Sequence, residues 1–301
     1  MFDLFEMMRP LNCVMGSVAT FIGALLVVRQ ELGVFYIPLI FALFAVFVIT
    51  GAGNVFNDYV DVEADKVNKP KRPIPSGRVS KRSALIFSML LFFLGILSAG
   101  FLNWICFAIA VVNSLLLVAY SHVLQNKLLM GNITIGYLVG STFLFGGAAT
   151  GYLPMIVIPL ILMMLAMLAT IAREIVKDLE DLEGDRKSFL KRIAKKVTES
   201  IGERFGLGKG GAKLKYGEKT MRIIAVACLM LAIIFSALPY YYGIMHTSYL
   251  LIVGLADIMF LWCIYSVITE RRIKKGYARV SKRLKIGMFI ALIAFIVGAF
   301  V

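Results

Sequence analysis

Repeated apolar runs limit this chain to one kind of fold. Each run has at least 17 residues, and 60% of the 301 residues are hydrophobic. As a helix, a run of that length crosses a hydrocarbon core of roughly 30 Å, and only a helix satisfies its own backbone polar groups there. We therefore predict an all-α polytopic membrane bundle of nine transmembrane helices, near 11–28, 34–57, 84–101, 104–120, 133–150, 154–176, 221–242, 248–268 and 285–301.

The positive charges predict how this bundle is oriented. Of the 32 Lys and Arg residues, 28 lie in three segments, at 66–82, 177–222 and 271–285, while Arg29 alone falls on the opposite side. By the positive-inside rule the amino terminus is cytoplasmic and, after nine spans, the carboxyl terminus is outside. We expect one domain over 1–301 in the cell membrane. The net charge of +14 then indicates anionic lipids or a phosphorylated substrate, and no nucleic acid.

Two acidic stretches share one spacing. In "GNVFNDYVDVEAD" (53–65), Asn54, Asp58, Asp61 and Asp65 are separated by 4, 3 and 4 positions, which places them on one stripe of a continuing helix. The stretch "REIVKDLEDLEGD" (173–185) repeats this spacing 120 residues later, with Glu174, Asp178, Asp181 and Asp185. Each stretch ends a span that runs from outside to inside. We interpret the pair as a parallel internal repeat that carries one acidic stripe in each half.

Paired carboxylate stripes are typical of a divalent cation site. Mg²⁺ takes oxygen ligands and usually binds through one or two carboxylates together with substrate phosphates. Such ions make a diphosphate a good leaving group, which predicts chemistry on a diphosphate with a long apolar tail at the cytoplasmic face. The alternative is a pair of solvated helix ends whose acids balance nearby cations. Charge balance alone, however, requires no shared spacing.

The two stretches resemble the motifs of the UbiA superfamily of intramembrane prenyltransferases. Asn57, Asp61 and Asp65 match its NxxxDxxxD motif, and Asp181 and Asp185 match its DxxxD motif. The stretches "RPLN" (9–12), "RPIPSGRVS" (72–80) and "YSHVLQNKLLMGN" (120–132) agree as well. The resemblance covers nearly the whole chain and implies nine helices with the motifs on the second and sixth. One departure is Gln125, where many members have Lys, with Lys127 two residues on.

Within the superfamily, the motifs are most similar to those of an archaeal branch of ether-lipid enzymes. That branch uses Mg²⁺ to transfer a geranylgeranyl group from its diphosphate to the hydroxyl of geranylgeranylglyceryl phosphate, a phosphorylated lipid acceptor. The runner-up is prenylation of an aromatic acceptor on the ubiquinone, menaquinone or chlorophyll pathways. A secondary transporter is the remaining alternative, although its acids should lie nearer the bilayer midplane.

The resemblance also implies roles for individual residues. Asp58, Asp61 and Asp65 would hold one Mg²⁺, and Asp178, Asp181 and Asp185 another. Cations beside the stripes would bind the phosphate groups, although Arg173 and Lys177 have a structural alternative in pairing with Glu174 and Asp178. The predicted substrate-binding residues are Arg9, Asn12, Asn54, Asn57, Arg72, Arg78, Tyr120, Lys127, Arg173 and Lys177.

The loop after the second stripe is long and basic. Its first part, "KSFLKRIAKKVTESIGERF" (187–205), has apolar residues at helical spacing, which predicts an amphipathic helix in the membrane interface. We consider 187–215 either a surface anchor or a lid that shields the reacting centre from water. In the second reading "GLGKGGAKLK" (206–215) would be the hinge.

Overall fold

The fold is all-helical wherever the structure describes it. The computed structural model describes residues 2–198, 217–269 and 273–300, with side chains except at 30, 32, 126, 128, 153, 181–198 and 273–275. Within these ranges there are α-helices, short 3₁₀ turns and no strand. The helices are α1 (Phe2–Met7), α2 (Pro10–Val28), α3 (Tyr36–Val60), α4 (Val62–Asn68), α5 (Lys81–Gly100), α6 (Trp104–His122), α7 (Leu128–Ala149), α8 (Val157–Thr198), α9 (Glu218–Ser236), α10 (Leu238–Tyr241), α11 (Thr247–Thr269) and α12 (Ile273–Phe300).

Nine helical segments in the described ranges are long and apolar enough to cross a membrane, which confirms the predicted number. They are Pro10–Val28, Gly33–Val60, Lys81–Gly100, Trp104–His122, Leu129–Ala149, Val157–Glu180, Glu218–Tyr241, Thr247–Thr269 and Gly276–Phe300. The ninth begins nine residues earlier than the predicted 285, because α12 continues through Arg279, Lys282 and Arg283 without a break. Arg and Lys are good helix formers, so their charge moves the membrane boundary without ending the helix.

The described chain groups into two compact units. Unit 1 contains the residues up to 125 and 137–164 together with Phe300, and unit 2 contains 126–136 and the described residues of 165–299. The core of unit 1 includes Ala42, Ala45, Ala52, Ala84 and Ala99, all fully buried. Small side chains let membrane helices approach closely, and van der Waals contact then stabilises their packing. The core of unit 2 uses larger side chains, among them Leu179, Leu229, Val267, Tyr277 and Leu284.

Two glycines make the closest helix contacts of unit 1. A Cβ added at Gly146 on α7 would lie 1.8 Å from the carbonyl oxygen of Thr20 on α2. One added at Gly23 on α2 would lie 2.0 Å from the carbonyl oxygen of Phe143. Both obstacles are backbone atoms, which cannot move aside as a side-chain end can. The α2–α7 contact therefore requires glycine at both positions.

We expect Gly146→Ala to destabilise the protein by about 1–3 kcal/mol, since the methyl group must push the two helices apart. The matched control is Gly254→Ala on α11, where an added Cβ meets no atom within 4 Å. The thermal unfolding midpoint of both variants in detergent measures the difference. Equal midpoints would contradict the close packing of α2 against α7.

An acidic residue, Asp257, lies within the apolar run that predicted the eighth span. Asp257 on α11 accepts a hydrogen bond from Ser236 Oγ at 2.8 Å, and the Ser236 carbonyl accepts one from Tyr249 Oη at 2.7 Å. Polar groups inside a membrane need such partners, because lipid supplies none. The contact joins α9 to α11 within unit 2.

The two acidic stretches differ in their backbones. The first was expected on a continuing helix, but α3 ends at Val60 and α4 starts at Val62, with Asp61 at φ −83° and ψ 7° between them. The Asp61 and Asp65 amides still donate to Asn57 and Asp61 carbonyls, so the bend is slight. The second stretch lies within α8, which is unbroken through Thr198. Residues 187–198 thus extend the helix of the sixth span, and 199–215 of the predicted lid or anchor lie outside the described residues.

Candidate active site

One arginine, Arg72, bridges two carboxylates of the first acidic stripe. Arg72 Nη1 donates to Asp58 Oδ1 at 2.9 Å and to Asp65 Oδ2 at 2.5 Å. Both carboxylates are almost fully buried, with side-chain exposures of 7% and 8%. Like charges this close repel each other unless a cation lies between them. Arg72 supplies that charge.

The loop that carries Arg72 is shaped by its own sequence. The segment between α4 and α5 contains Pro73, Pro75 and a glycine, Gly77, at φ +78°, where other residues are strained. Turn hydrogen bonds join Ser76 N to the Arg72 carbonyl and Val79 N to the Pro73 carbonyl, each at 3.0 Å. Ile74 and Val79 are buried in the core of unit 1 and anchor the loop there. Arg72 is therefore held at the end of α3.

A second arginine reaches the same carboxylate from the start of α2. Arg9 Nη2 donates to Asp58 Oδ1 at 2.7 Å. Arg9 has φ 53° and ψ 68°, a left-handed conformation that costs a non-glycine residue roughly 1–2 kcal/mol. Asn54 holds the neighbouring turn, because its Nδ2 donates to the Met8 carbonyl at 2.8 Å. Asn54 of α3 thus stabilises the strained turn at Arg9, and the Arg9 guanidinium contacts Asp58 of the acidic stripe.

Among the described side chains, the partner of the Asp61 carboxylate is a neutral amide. Gln125 Nε2 donates to Asp61 Oδ1 at 3.0 Å and to the Ser121 carbonyl at 2.6 Å. Gln125 Oε1 accepts from Asn57 Nδ2 at 3.2 Å. One carboxamide therefore joins Asn57 and Asp61 of the first Asp motif to the end of α6. The sequence singled out Gln125 only as a departure from Lys and gave no sign of this contact.

The described partners of Arg78 belong to α1 and to its own loop. Its guanidinium donates to Asp3 and, at 2.9 Å, to Glu6 of α1, and it also donates to the Lys71 carbonyl at 2.9 Å. Hydrogen bonding to Glu6, and then to Asp3, raises the pKa of Arg78 above its usual value. Arg78, which was predicted to bind phosphate, therefore joins α1 to the loop between α4 and α5.

The second stripe lies in unit 2 on α8. Asp178 Oδ2 accepts a hydrogen bond from Asn132 Nδ2 of α7 at 2.9 Å. Arg173 and Lys177 both donate to Glu174, at 2.9 and 2.7 Å, which is the structural alternative considered for these two cations. Asp181 and Asp185 continue the helix, but their side chains lie outside the described part.

The remaining predicted residues lie at or beside helix ends. Asn12 is exposed in the first turn of α2, and its backbone amide donates to the Arg9 carbonyl. Tyr120 is half-buried near the end of α6, and Lys127 is exposed just before α7. The geometry brings together Arg9, Asn54, Asn57, Asp58, Asp61, Asp65 and Arg72 within unit 1. The contacts of Asn132 and Gln125 are those that sequence reasoning missed.

The first stripe fits a hard divalent cation. Two buried carboxylate oxygens converge on one positively charged nitrogen, and oxygens are the ligands that Mg²⁺ prefers. The described residues contain no group of three metal-ligating side chains. Mg²⁺ does not require one, since it usually keeps several waters and takes further oxygens from a substrate phosphate. The arrangement of Asp58 and Asp65 is therefore compatible with a Mg²⁺ site of this kind.

Comparison with known proteins identifies the family. The model of the UbiA prenyltransferase family matches residues 17–293. The chain belongs to the UbiA prenyltransferase family. The family predicted from the two Asp motifs is thereby confirmed, and membership together with the nine apolar helices of the described ranges makes this UbiA protein a multi-pass membrane protein.

Relatives of this UbiA protein match it over nearly their full length. It is 43% identical to the digeranylgeranylglyceryl phosphate synthase of Methanococcoides burtonii, over 98% of each chain. It is 40% identical to that of Methanosarcina mazei, over 97% of this chain and 96% of the relative. A solved structure of digeranylgeranylglyceryl phosphate synthase in membranes is 36% identical with a TM-score of 0.81, over 99% of this chain and 98% of the other.

A more distant structure shares the fold of this UbiA protein. The UbiA homologue from Archaeoglobus fulgidus, bound to GPP and Mg²⁺, has a TM-score of 0.65 at 14% identity. The match covers 96% of this chain and 99% of the homologue. The nine-helix all-α fold expected from the sequence is therefore that of solved UbiA proteins.

Proposed function

We propose that this protein transfers a geranylgeranyl group from geranylgeranyl diphosphate to the hydroxyl of geranylgeranylglyceryl phosphate. The observation that carries the proposal is the meeting of two buried carboxylates with two arginines at the end of α3. Carboxylates suit a divalent cation, and guanidinium groups suit phosphate oxygens. Relatives at 40% and 43% identity that are named for this reaction support it.

The proposed metal ligands follow the two stripes. Asp58, Asp61 and Asp65 would hold one Mg²⁺, and Asp178, Asp181 and Asp185 a second. When bound, Mg²⁺ neutralises the charge that develops on the diphosphate as the prenyl C–O bond breaks. The GPP and Mg²⁺ bound by the Archaeoglobus fulgidus homologue support a metal-dependent reaction on a prenyl diphosphate. By the positive-inside rule, we place this chemistry at the cytoplasmic face of the cell membrane.

The side chains of this protein would bind and orient the reactants. Arg9 donates to Asp58, and Arg72 donates to Asp58 and Asp65. Both guanidinium groups would bind phosphate oxygens once a metal ion neutralises the acids. Departure of the diphosphate with the bonding electrons leaves an allylic cation. The acceptor hydroxyl oxygen then forms the ether bond and loses its proton. A cation this reactive requires no strong base, and neither acidic stretch contains a histidine.

The assay that tests this function uses purified protein, Mg²⁺ and geranylgeranyl diphosphate with one of two acceptors. We expect ether formation on geranylgeranylglyceryl phosphate, no prenylation of 4-hydroxybenzoate, and loss of activity with EDTA that excess Mg²⁺ restores. Prenylation of 4-hydroxybenzoate alone would support the aromatic alternative. Product formation that survives EDTA would contradict the metal site.

A further inference from the structure

The side chain of Gln125 makes three hydrogen bonds, for which the proposed function gives no reason. Gln125 follows α6, and its carboxamide uses both N–H groups and its oxygen at once. The acceptors are Asp61 Oδ1 and the Ser121 carbonyl, and the donor is Asn57 Nδ2. Because two acceptors face Nε2 and one donor faces Oε1, the amide has only one orientation that satisfies every partner.

Only a carboxamide of this length can make all three contacts. A lysine at position 125 would carry donors and no acceptor, so the amide of Asn57 would lose its partner. A leucine would lose all three hydrogen bonds. Asparagine is one methylene shorter, so its amide could contact Asn57 and Asp61 only if α6 moved. The residue type is therefore matched to both neighbours.

The described hydrogen-bond donors to the three carboxylates of the first stripe differ in charge. Asp58 accepts from two guanidinium groups and Asp65 from one, whereas the hydrogen bond to Asp61 comes from an uncharged amide. A lysine here would offset the charge of Asp61. The amide instead orients the carboxylate without adding a positive charge, as partners of metal-binding carboxylates commonly do.

We propose that Gln125 is a positioning residue that fixes Asp61 through Oδ1 and orients the carboxylate toward the divalent cation. This inference rests on the proposed metal-dependent transfer and deepens it. Asn57 would take part indirectly, by holding the oxygen of the Gln125 amide. Asp61 touches the metal in this scheme, while Gln125 acts only through Asp61.

Binding of Mn²⁺ to the substrate-free protein tests the proposal without turnover. Electron paramagnetic resonance of unbound Mn²⁺ gives the affinity of the wild type, Gln125→Leu and Gln125→Lys. We expect about tenfold weaker binding at one site in Gln125→Leu, and a larger loss in Gln125→Lys because of its added positive charge. Asn113→Leu is the control, since Asn113 on α6 makes a comparable amide contact, to Ser141 Oγ at 2.9 Å.

A double-mutant cycle separates positioning from a general structural effect. Gln125→Leu in an Asp61→Asn background should weaken Mn²⁺ binding much less than in the wild type, because the oriented charge is already gone. Equal effects in both backgrounds, or an equal loss in Asn113→Leu, would overturn the proposal. If Gln125→Leu does not fold, Gln125→Lys takes its place in the cycle. Wild-type protein that binds no Mn²⁺ and transfers no prenyl group would instead refute the proposed function.

Discussion

Asp61→Asn should lower kcat/KM for geranylgeranyl transfer by at least about 100-fold, equivalent to about 2.7 kcal/mol of transition-state stabilisation. The substitution removes one negative charge and almost no volume. The new side-chain amide would keep an oxygen for the Gln125 amide, which now donates to Asp61 Oδ1 at 3.0 Å. The loss would therefore come from a weaker hold on the metal, and raising the Mg²⁺ concentration should recover part of it.

Glu63→Gln is the matched control for this variant. Glu63 belongs to the same motif, but its side chain is 79% exposed and pairs only with Lys66 among the described residues. We expect activity within about twofold of the wild type, since an exposed ion pair contributes little. Equal losses in the two variants would contradict a specific role for the Asp58–Asp61–Asp65 stripe. Steady-state kinetics at several Mg²⁺ concentrations distinguish the outcomes.

Arg72→Gln should destabilise the metal-free protein by about 3 kcal/mol, and Mg²⁺ should restore most of that stability. Removal of the guanidinium leaves Asp58 and Asp65 buried side by side with one cation fewer, and breaking a buried ion pair usually costs this much. A divalent cation between the carboxylates replaces the lost charge. The thermal unfolding midpoint with EDTA and with Mg²⁺ measures both effects.

Lys66→Gln provides the comparison for Arg72→Gln. Lys66 pairs with Glu63 at 2.9 Å on the surface of α4, where both side chains are more than half exposed. We expect a change below about 0.5 kcal/mol in either buffer. If Arg72→Gln lost the same stability with and without Mg²⁺, the arginine would be a purely structural partner, and the metal would bind elsewhere.

The sequence predicts the parts of this protein that depend on periodicity. Hydrophobic runs predicted all nine spans of the described ranges. The 4, 3, 4 spacing selected Asp58 and Asp65, and both carboxylates contact Arg72 Nη1 in the structure. Helical spacing fixes which face a residue occupies, so such predictions need no tertiary information. The same method missed Asp257, because one acid scarcely changes the mean hydropathy of a 23-residue helix.

Contacts between distant segments were beyond prediction for a physical reason. Gln125 lies 64 residues from Asp61 and 68 from Asn57, and no local rule relates such positions. The break at Asp61 was equally hidden, since "YVDVEAD" contains neither proline nor glycine. Asn54 donates to the backbone carbonyl of Met8. Because every residue has such a carbonyl, the identity of Met8 gives no indication of this contact.

Residues 2–8 support the candidate site through the contacts of α1 and Met8, although they contain no motif. Their Met8 carbonyl holds Asn54, and their Asp3 and Glu6 hold Arg78 of the loop that also carries Arg72. Trimming the chain to Arg9 would release both attachments and free the strained arginine beside Asp58. Affinity tags and fluorescent fusions for the experiments above therefore belong at the carboxyl terminus, because the end of α12 contributes to neither attachment.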